Sequence, residues 1–208
     1  MQIDPQQQPA ATSYKLLTNL IVPRPIAWVT SVGPENNLNL APFSFFNALS
    51  AEPVILGFSV GRHEDGRPRD TAVNIRQRGE FVVHLVTEDF MPAMNISAAD
   101  FPPEMSEAEI CGLPTLPSQR VAVPRLADVL VSMECRLHSH QALGPNTLIL
   151  GEVLLFHVTD ALLGERMHIK DWNPVGRMGS PATYCHTQDR FEWPRLSYAD
   201  WLEQKNTD

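Results

Sequence analysis

Four short stretches carry side chains whose types and spacing could do chemistry: Val29-Thr30-Ser31, the run APFSFFN from Ala41 to Asn47, Phe58-Ser59-Val60-Gly61, and Arg69-Asp70-Thr71. Thr30, Ser31, Ser44 and Ser59 are short hydroxyl donors, and Asn47 both donates and accepts. Arg69 and Thr71 stand where a helix is expected to begin. A helix start presents free N–H groups and a partial positive charge, so an anion held by Arg69, Thr71 and the first-turn amides is physically sound. Together the stretches suit a flat polar ring with a phosphorylated tail. Taken singly, each hydroxyl reads as a local cap or turn bond.

Other constellations carry less. His138 and His140 lie at i and i+2 of an expected strand, a spacing that could hold a metal, but no third ligand is near in sequence, so no metal is expected. His84 and His157 sit inside apolar runs and read as core histidines. His168, Arg177, Tyr184 and His186 fall in an irregular stretch, where lining a site and ordinary loop packing are both open. Phe43, Phe45 and Phe46 read first as core. No Ser/His/Asp or Cys/His nucleophile can be argued from spacing. Neither GxGxxG nor GxxxxGK[ST] occurs, so any nucleotide is held by some other device.

The elements that must position these residues are mostly strands. IAWVTSV (26–32), the turn residues Gly33 to Asn37, and the alternating LNL form a hairpin. PVILGFSV (53–60) and FVVHLV (81–86) are short continuous apolar runs, as buried strands are. Between them Asp70 is an expected N-cap, TAVNIRQR a two-turn helix and Gly79 its stop. VLVSMECRLHSH (129–140) and TLILGEVLLFHV (147–158) form a second long hairpin across LGPN. Residues 87–128, broken by prolines, read as a surface excursion with two short helices, and 163–195 hold too many turn residues for a regular element. Six or more strands with only short helices indicate a mainly β, antiparallel architecture closed or nearly closed into a barrel.

Composition narrows the function classes. The chain of 208 residues suits one domain, with a polar N-terminal tail over 1–13. A net charge of −8 argues against nucleic acid. Five of the sixteen basic residues nevertheless cluster between Arg62 and Arg78 beside only three acids, a local excess that could hold one phosphate or be a solvated loop. No apolar stretch approaches the roughly 20 residues of a membrane helix, and no targeting segment is read at the N-terminus, so a soluble cytoplasmic protein is expected. Cys111, Cys135 and Cys185 are odd in number and form no CxxC, which points to reduced, structural thiols.

The string PRPIAWVTSVGPENNLNLAPFSFFNALSAEPVILGFSVG, followed by GRPRDTAVNIRQRGEFVVHLV, resembles the flavin reductase-like FMN-binding split-barrel family, in its nitrilotriacetate monooxygenase component B-like branch. Similarity continues through MNISAADFPP, EICGL, VSMECRLHSH, LILGEV and VGRMGSPATY, covering about residues 14–185. The resemblance implies a six-stranded antiparallel split barrel with short peripheral helices over 14–195, a C-terminal tail over 196–208, and a homodimer binding FMN near the subunit interface. By that resemblance Ala41 and Pro42 let the flavin ring approach the backbone, Ser44 and Asn47 bond its polar edge, and Thr30 and Ser31 face it. Arg69, Asp70 and Thr71 bind the phosphate with help from Ser59 and Arg24. Arg69 stands where family members often carry Lys, which keeps the charge and permits a bidentate grip. The implied activity is hydride transfer from NAD(P)H to flavin, supplying a partner monooxygenase; the alternative is a non-catalytic FMN electron carrier.

Overall fold

The computed structural model describes residues 1–179 and 181–205. Ser180 and the last three residues of the expected C-terminal tail lie outside the described residues. The frame is one sheet built from β1 (Ala27–Val32), β2 (Leu38–Phe43), β3 (Phe46–Ala51), β4 (Val54–Val60), β5 (Glu80–Leu85), β8 (Val131–Leu143) and β9 (Asn146–Val158). Two-residue ladders join β6 (Thr115–Leu116) to β7 (Arg125–Leu126), and β10 (Gly176–Arg177) to β11 (Tyr184–Cys185). The helices are α1 (Ala10–Leu20), α2 (Asp70–Arg78), α3 (Met91–Ile96), α4 (Glu107–Ile110) and α5 (Tyr198–Lys205).

The order across the main sheet is β2-β1-β5-β8-β9-β4-β3, with all pairings antiparallel. Its two edge strands, β2 and β3, are consecutive in the chain and separated only by Ser44 and Phe45. A seven-stranded sheet whose opposite edges are joined by two residues must curl until those edges meet. No β2–β3 ladder closes the seam, so the barrel is split there. Just before β3, the Phe45 carbonyl accepts from the Ser59 N–H of β4 at 2.9 Å, which extends the β3–β4 pairing into the two-residue link.

The sheet has seven strands, not the expected six. The extra one is β3, whose sequence FNALSA has little apolar alternation: Asn47 to Ala51 are exposed on an edge with neighbours on one side only. Both sequence-expected hairpins form, β1 with β2 and β8 with β9. The β8–β9 register slips between Leu137 and Ser139, which breaks the simple alternation assumed for His138 and His140. The N-terminal stretch expected as a tail contains the start of α1, and the C-terminal one contains α5.

Strand β1 shows why a continuous apolar run is needed. Ala27 and Val29 point into the barrel with Phe43, Phe58, Phe81 and Ile149, while Trp28 packs outside against Leu40, Met94, Ala108 and Leu126. The proline-broken excursion supplies that outer layer, and Trp28 Nε1 ties it down by donating to Ser97 Oγ at 2.9 Å. Both faces of β1 are therefore dry. Gly151 lets the Phe81 ring lie against the opposite strand, since a Cβ there would come within 2.3 Å of the ring. Helix α2 plugs one barrel end through Ala72 and Ile75, and Gly79 ends it at φ 73°, a left-handed stop.

Candidate functional site

Two adjoining cavities open beside the seam. The first, about 260 Å³, is lined by Tyr14, Arg24, Pro42, Ser44, Arg177 and Tyr184, with Arg24 and Arg177 paired side by side. The second, about 210 Å³, runs past Asn39 and Ala41 to Arg69, Asp70 and Thr71 at the start of α2. Pro42 and Ala98 line both, so the pair forms one trough from the α2 end to the β10–β11 ladder.

Of the sequence-expected residues, Arg24, Ala41, Pro42, Ser44, Arg69, Asp70 and Thr71 line this trough. Asn47 instead lines an apolar groove beside Phe46 and Leu49 that meets the first cavity at Arg24 and Ser44, and its Oδ1 accepts from the Ala48 N–H at 2.8 Å. Thr30 is fully buried on the outer face of β1, its hydroxyl donating to the Pro124 carbonyl at 2.9 Å. Ser31 faces inward but is sealed beneath α2, where Asn39 and Asn74 each donate to its hydroxyl at 3.3 Å. Ser59 belongs to strand β4 and lines neither cavity. The period of two along a strand explains the outcome: adjacent hydroxyls at 30 and 31 cannot face the same way.

The α2 end differs from expectation in its details. Arg69, not Asp70, is the N-cap residue, and no side chain caps the helix; the Ala72 and Val73 N–H groups donate to the Arg69 carbonyl, which leaves the Asp70 and Thr71 amides as the first-turn donors beside the cavity. Thr71 Oγ1 accepts from Asn39 Nδ2 at 2.9 Å, so Asn39 orients the threonine. Asn39 was not singled out in the sequence, although a polar side chain between Leu38 and Leu40 was the available signal. Arg69 Nη1 is held by Asp100 Oδ1 at 2.6 Å, and His63 reaches the other Asp100 oxygen at 3.4 Å. The Arg69 hydrogen bond keeps the Asp100 carboxyl below the usual carboxylate range. Glu107 also lines this cavity; burial pushes its carboxyl up, against the opposing pull of the Leu40 N–H that it accepts at 2.8 Å. The basic cluster of the sequence is thus largely spent locally: Arg67 pairs with Asp65 at 2.6 Å and Arg62 donates to the Pro145 and Gly66 carbonyls.

Arg24 is a staple. Its Nη1 donates to the carbonyls of Thr18 and Ile21, and its Nη2 to Met178, joining the end of α1 to the segment after β10. Its main chain exchanges two hydrogen bonds with Arg177, at 2.9 and 2.8 Å. Arg177 in turn lies over the Tyr184 ring and donates to its hydroxyl at 2.6 Å. The irregular stretch therefore does deliver Arg177 and Tyr184 to the trough. His168 and His186 do not line it; His186 sits 3.7 Å from Glu88.

The fold and trough define a class, and comparison with known proteins places the chain in it. The flavin reductase like domain model matches residues 19–191, so the chain belongs to the flavin reductase-like family, a family of flavin-binding proteins. Nitrilotriacetate monooxygenase component B from Bacillus cereus superposes with a TM-score of 0.88 at 37% identity, over 93% of this chain and 98% of that one. A 2-nitrobenzoate 2-nitroreductase from Pseudomonas fluorescens gives 0.85 at 31% identity, over 95% and 98%. A split-barrel protein from Shewanella frigidimarina, at 19% identity and TM-score 0.79 over 94% and 100%, supports the fold alone. An uncharacterised protein of Deinococcus radiodurans is 45% identical over 94% of this chain and 90% of its own length. Among the described residues, no helix is long and apolar enough to cross a membrane.

Proposed function

We propose that the chain is an FMN-dependent oxidoreductase taking a hydride from NAD(P)H, with the flavin phosphate at the α2 end and the ring over Ala41 and Pro42. The observation carrying this reading is the continuity of the trough across Pro42 and Ala98, which joins an uncapped helix start to an open apolar and polar chamber. The donor set fits the cofactor: Arg69, the Thr71 hydroxyl and the Asp70 and Thr71 amides suit a phosphate, and proline and alanine let a flat ring approach the main chain. Asp100 must yield its hold on Arg69 for the phosphate to be gripped fully.

When bound, FMN supplies reversible two-electron chemistry, which no side chain can provide. The chain's part is to bind and orient. Ser44 offers a donor lining the trough, Asn39 orients the Thr71 hydroxyl, and Met94 and Tyr184 add apolar wall to the chamber. A homodimer is part of the proposal. Leu49 on β3 and Phe156 on β9 are more than half exposed, and Phe191 and Trp193 lie almost fully in solvent, apolar surface that a second copy would cover. Reduced flavin passing to a partner monooxygenase in the cytoplasm is the proposed use.

The test is anaerobic titration of the FMN-loaded chain with NADH and NADPH, following flavin absorbance. Bleaching at a catalytic rate with either donor supports the oxidoreductase. An unchanged spectrum leaves an FMN carrier. A monomeric mass in sedimentation at full FMN occupancy removes the dimer.

A further inference from the structure

The cavity at the start of α2 holds more acids than an anion site asks for. Asp70, Asp100 and Glu107 line it against Arg69 and His63. Asp100 is answered: its half-exposed carboxylate is held by Arg69 at 2.6 Å and by His63 at 3.4 Å. Asp70 is partly exposed, so water screens it. Glu107 has neither. It is only 7% exposed, its Oε2 accepts from the Leu40 N–H at 2.8 Å, and among the described residues it forms no ion pair. Burial pushes its carboxyl up, the Leu40 amide and its own pull it back, and Asp70 adds a further upward push. The other elements around it bring no compensating charge. On α4 itself Glu109 is exposed, and Cys111 is a thiol raised by burial and then by Glu107. Strand β2, which α4 covers, carries no titratable side chain.

A flavin phosphate seated here shifts that balance further. It would lie on the Asp70 and Thr71 amides, beside the carboxylate whose charge Glu107 already feels, and it carries about −1.5 to −2 of its own at neutral pH. Arg69 can turn from Asp100 to the phosphate, but this moves a cation already present and adds none. The smallest counter-charge that water can deliver is a proton. Glu107 is the carboxylate where it relieves most, because a buried, unpaired charge gains most from neutralisation. We propose that binding of the phosphate at α2 takes up one proton from solvent onto the Glu107 carboxylate, so that FMN is held more tightly as pH falls. The proton adds to a carboxylate oxygen and gives an acceptor-only group a donor, while the Leu40 N–H keeps an acceptor. The sign follows from linkage: the complex binds more protons than the free chain. Affinity is therefore constant below the free chain's Glu107 titration, weakens by at most about tenfold per pH unit between the free and bound titrations, and is constant again above both. The inference rests on the flavin reading and deepens it by naming what regulates cofactor retention.

Calorimetric titration of the full-length chain with FMN, in buffers of different ionisation enthalpy from about pH 5.5 to 8, counts the protons exchanged. Glu107→Gln still offers the Leu40 N–H an oxygen but cannot ionise. At its maximum the wild type should take up roughly half a proton or more per FMN beyond this variant. The phosphate's own second proton, which titrates near pH 6, is common to both and cancels in the difference. The variant should bind FMN more tightly than the wild type at the upper end of the range and equally at the lower end. Riboflavin, which lacks the phosphate, should give no difference between the two proteins, and His63→Gln should keep the full uptake. Equal proton counts in wild type and Glu107→Gln overturn the proposal. So does a difference of the same size with riboflavin, or an uptake lost in His63→Gln. Should Glu107→Gln not fold, phosphorus NMR of FMN bound to the wild type decides: net uptake with the phosphate still a dianion supports a protein carboxyl, and uptake matched by protonation of the phosphate overturns it. Absence of FMN binding at every pH removes the flavin reading and this inference with it, whereas binding without the proton difference removes this inference alone.

Discussion

Buried polar groups under the 117–126 loop and polar groups along the trough are used in opposite ways. Under the loop the Glu134 carboxylate and the His84 imidazole are both fully engaged. Glu134 is fully buried and accepts from the main chains of Gln119, Arg120 and Val121 and from His157 Nε2 at 2.6 Å. Burial alone would raise its carboxyl; the Gln119 and Arg120 amides and His157 outweigh that and lower it. His84 bridges two main chains, its Nδ1 2.9 Å from the Trp28 carbonyl and its Nε2 accepting from the Leu126 N–H at 3.0 Å. Along the trough donors are held in part: no side chain caps the first turn of α2, and Arg177, engaged by the Tyr184 hydroxyl and the Pro181 carbonyl, lines a cavity whose wall has no carboxylate. Closed networks hold a loop in place, whereas open donors await a ligand.

The comparison breaks most visibly at Glu134. Glu134→Ala leaves three loop amides and His157 without their acceptor, so about 3–5 kcal/mol of unfolding free energy should be lost in urea titration. FMN affinity of the folded fraction should stay unchanged; a change there would mean the loop network reaches the trough.

Next in size is a pH effect at His84. Burial drives its pKa down to about 4. Its two partners require neutral imidazole with the proton on Nδ1, because Leu126 N–H can only donate. The unfolded chain takes up this proton near pH 6.5 and the folded chain near 4, so stability is full above about 6.5 and declines as pH falls toward 4. The accumulated loss is about 3 kcal/mol, read as a falling urea midpoint. His84→Gln should flatten that window; an unaltered slope would assign it to other groups.

The trough is probed by smaller effects of opposite sign. Arg69→Ala should weaken FMN by roughly 1.5–3 kcal/mol with little change in stability. An unchanged dissociation constant removes Arg69 from the phosphate site. Asp100→Asn frees Arg69 and removes a like charge from a half-exposed position, so FMN should bind more tightly by about 0.2–1 kcal/mol. Weaker binding in that variant would instead make Asp100 the residue that holds Arg69 in the right place.

Much of this was legible in the sequence. Both hairpins, β4, α2 and its glycine stop followed from apolar runs and turn residues, because strand and helix periods are local properties. The motif blocks also placed Pro42, Ser44 and the Arg69-Asp70-Thr71 triplet near one another. Sequence alone could not orient them. Thr30 turned outward and Ser31 was sealed because β1 is covered on both faces, a fact set by the excursion packing over it. Asp100 and Arg24 took up their roles through contacts 31 and up to 154 residues away, distances over which no local signal extends. Residue types and their order determined a β barrel with an anion-ready helix start. Only the tertiary structure decided which donors remain unpaired, since that depends on what every other chain segment has already claimed.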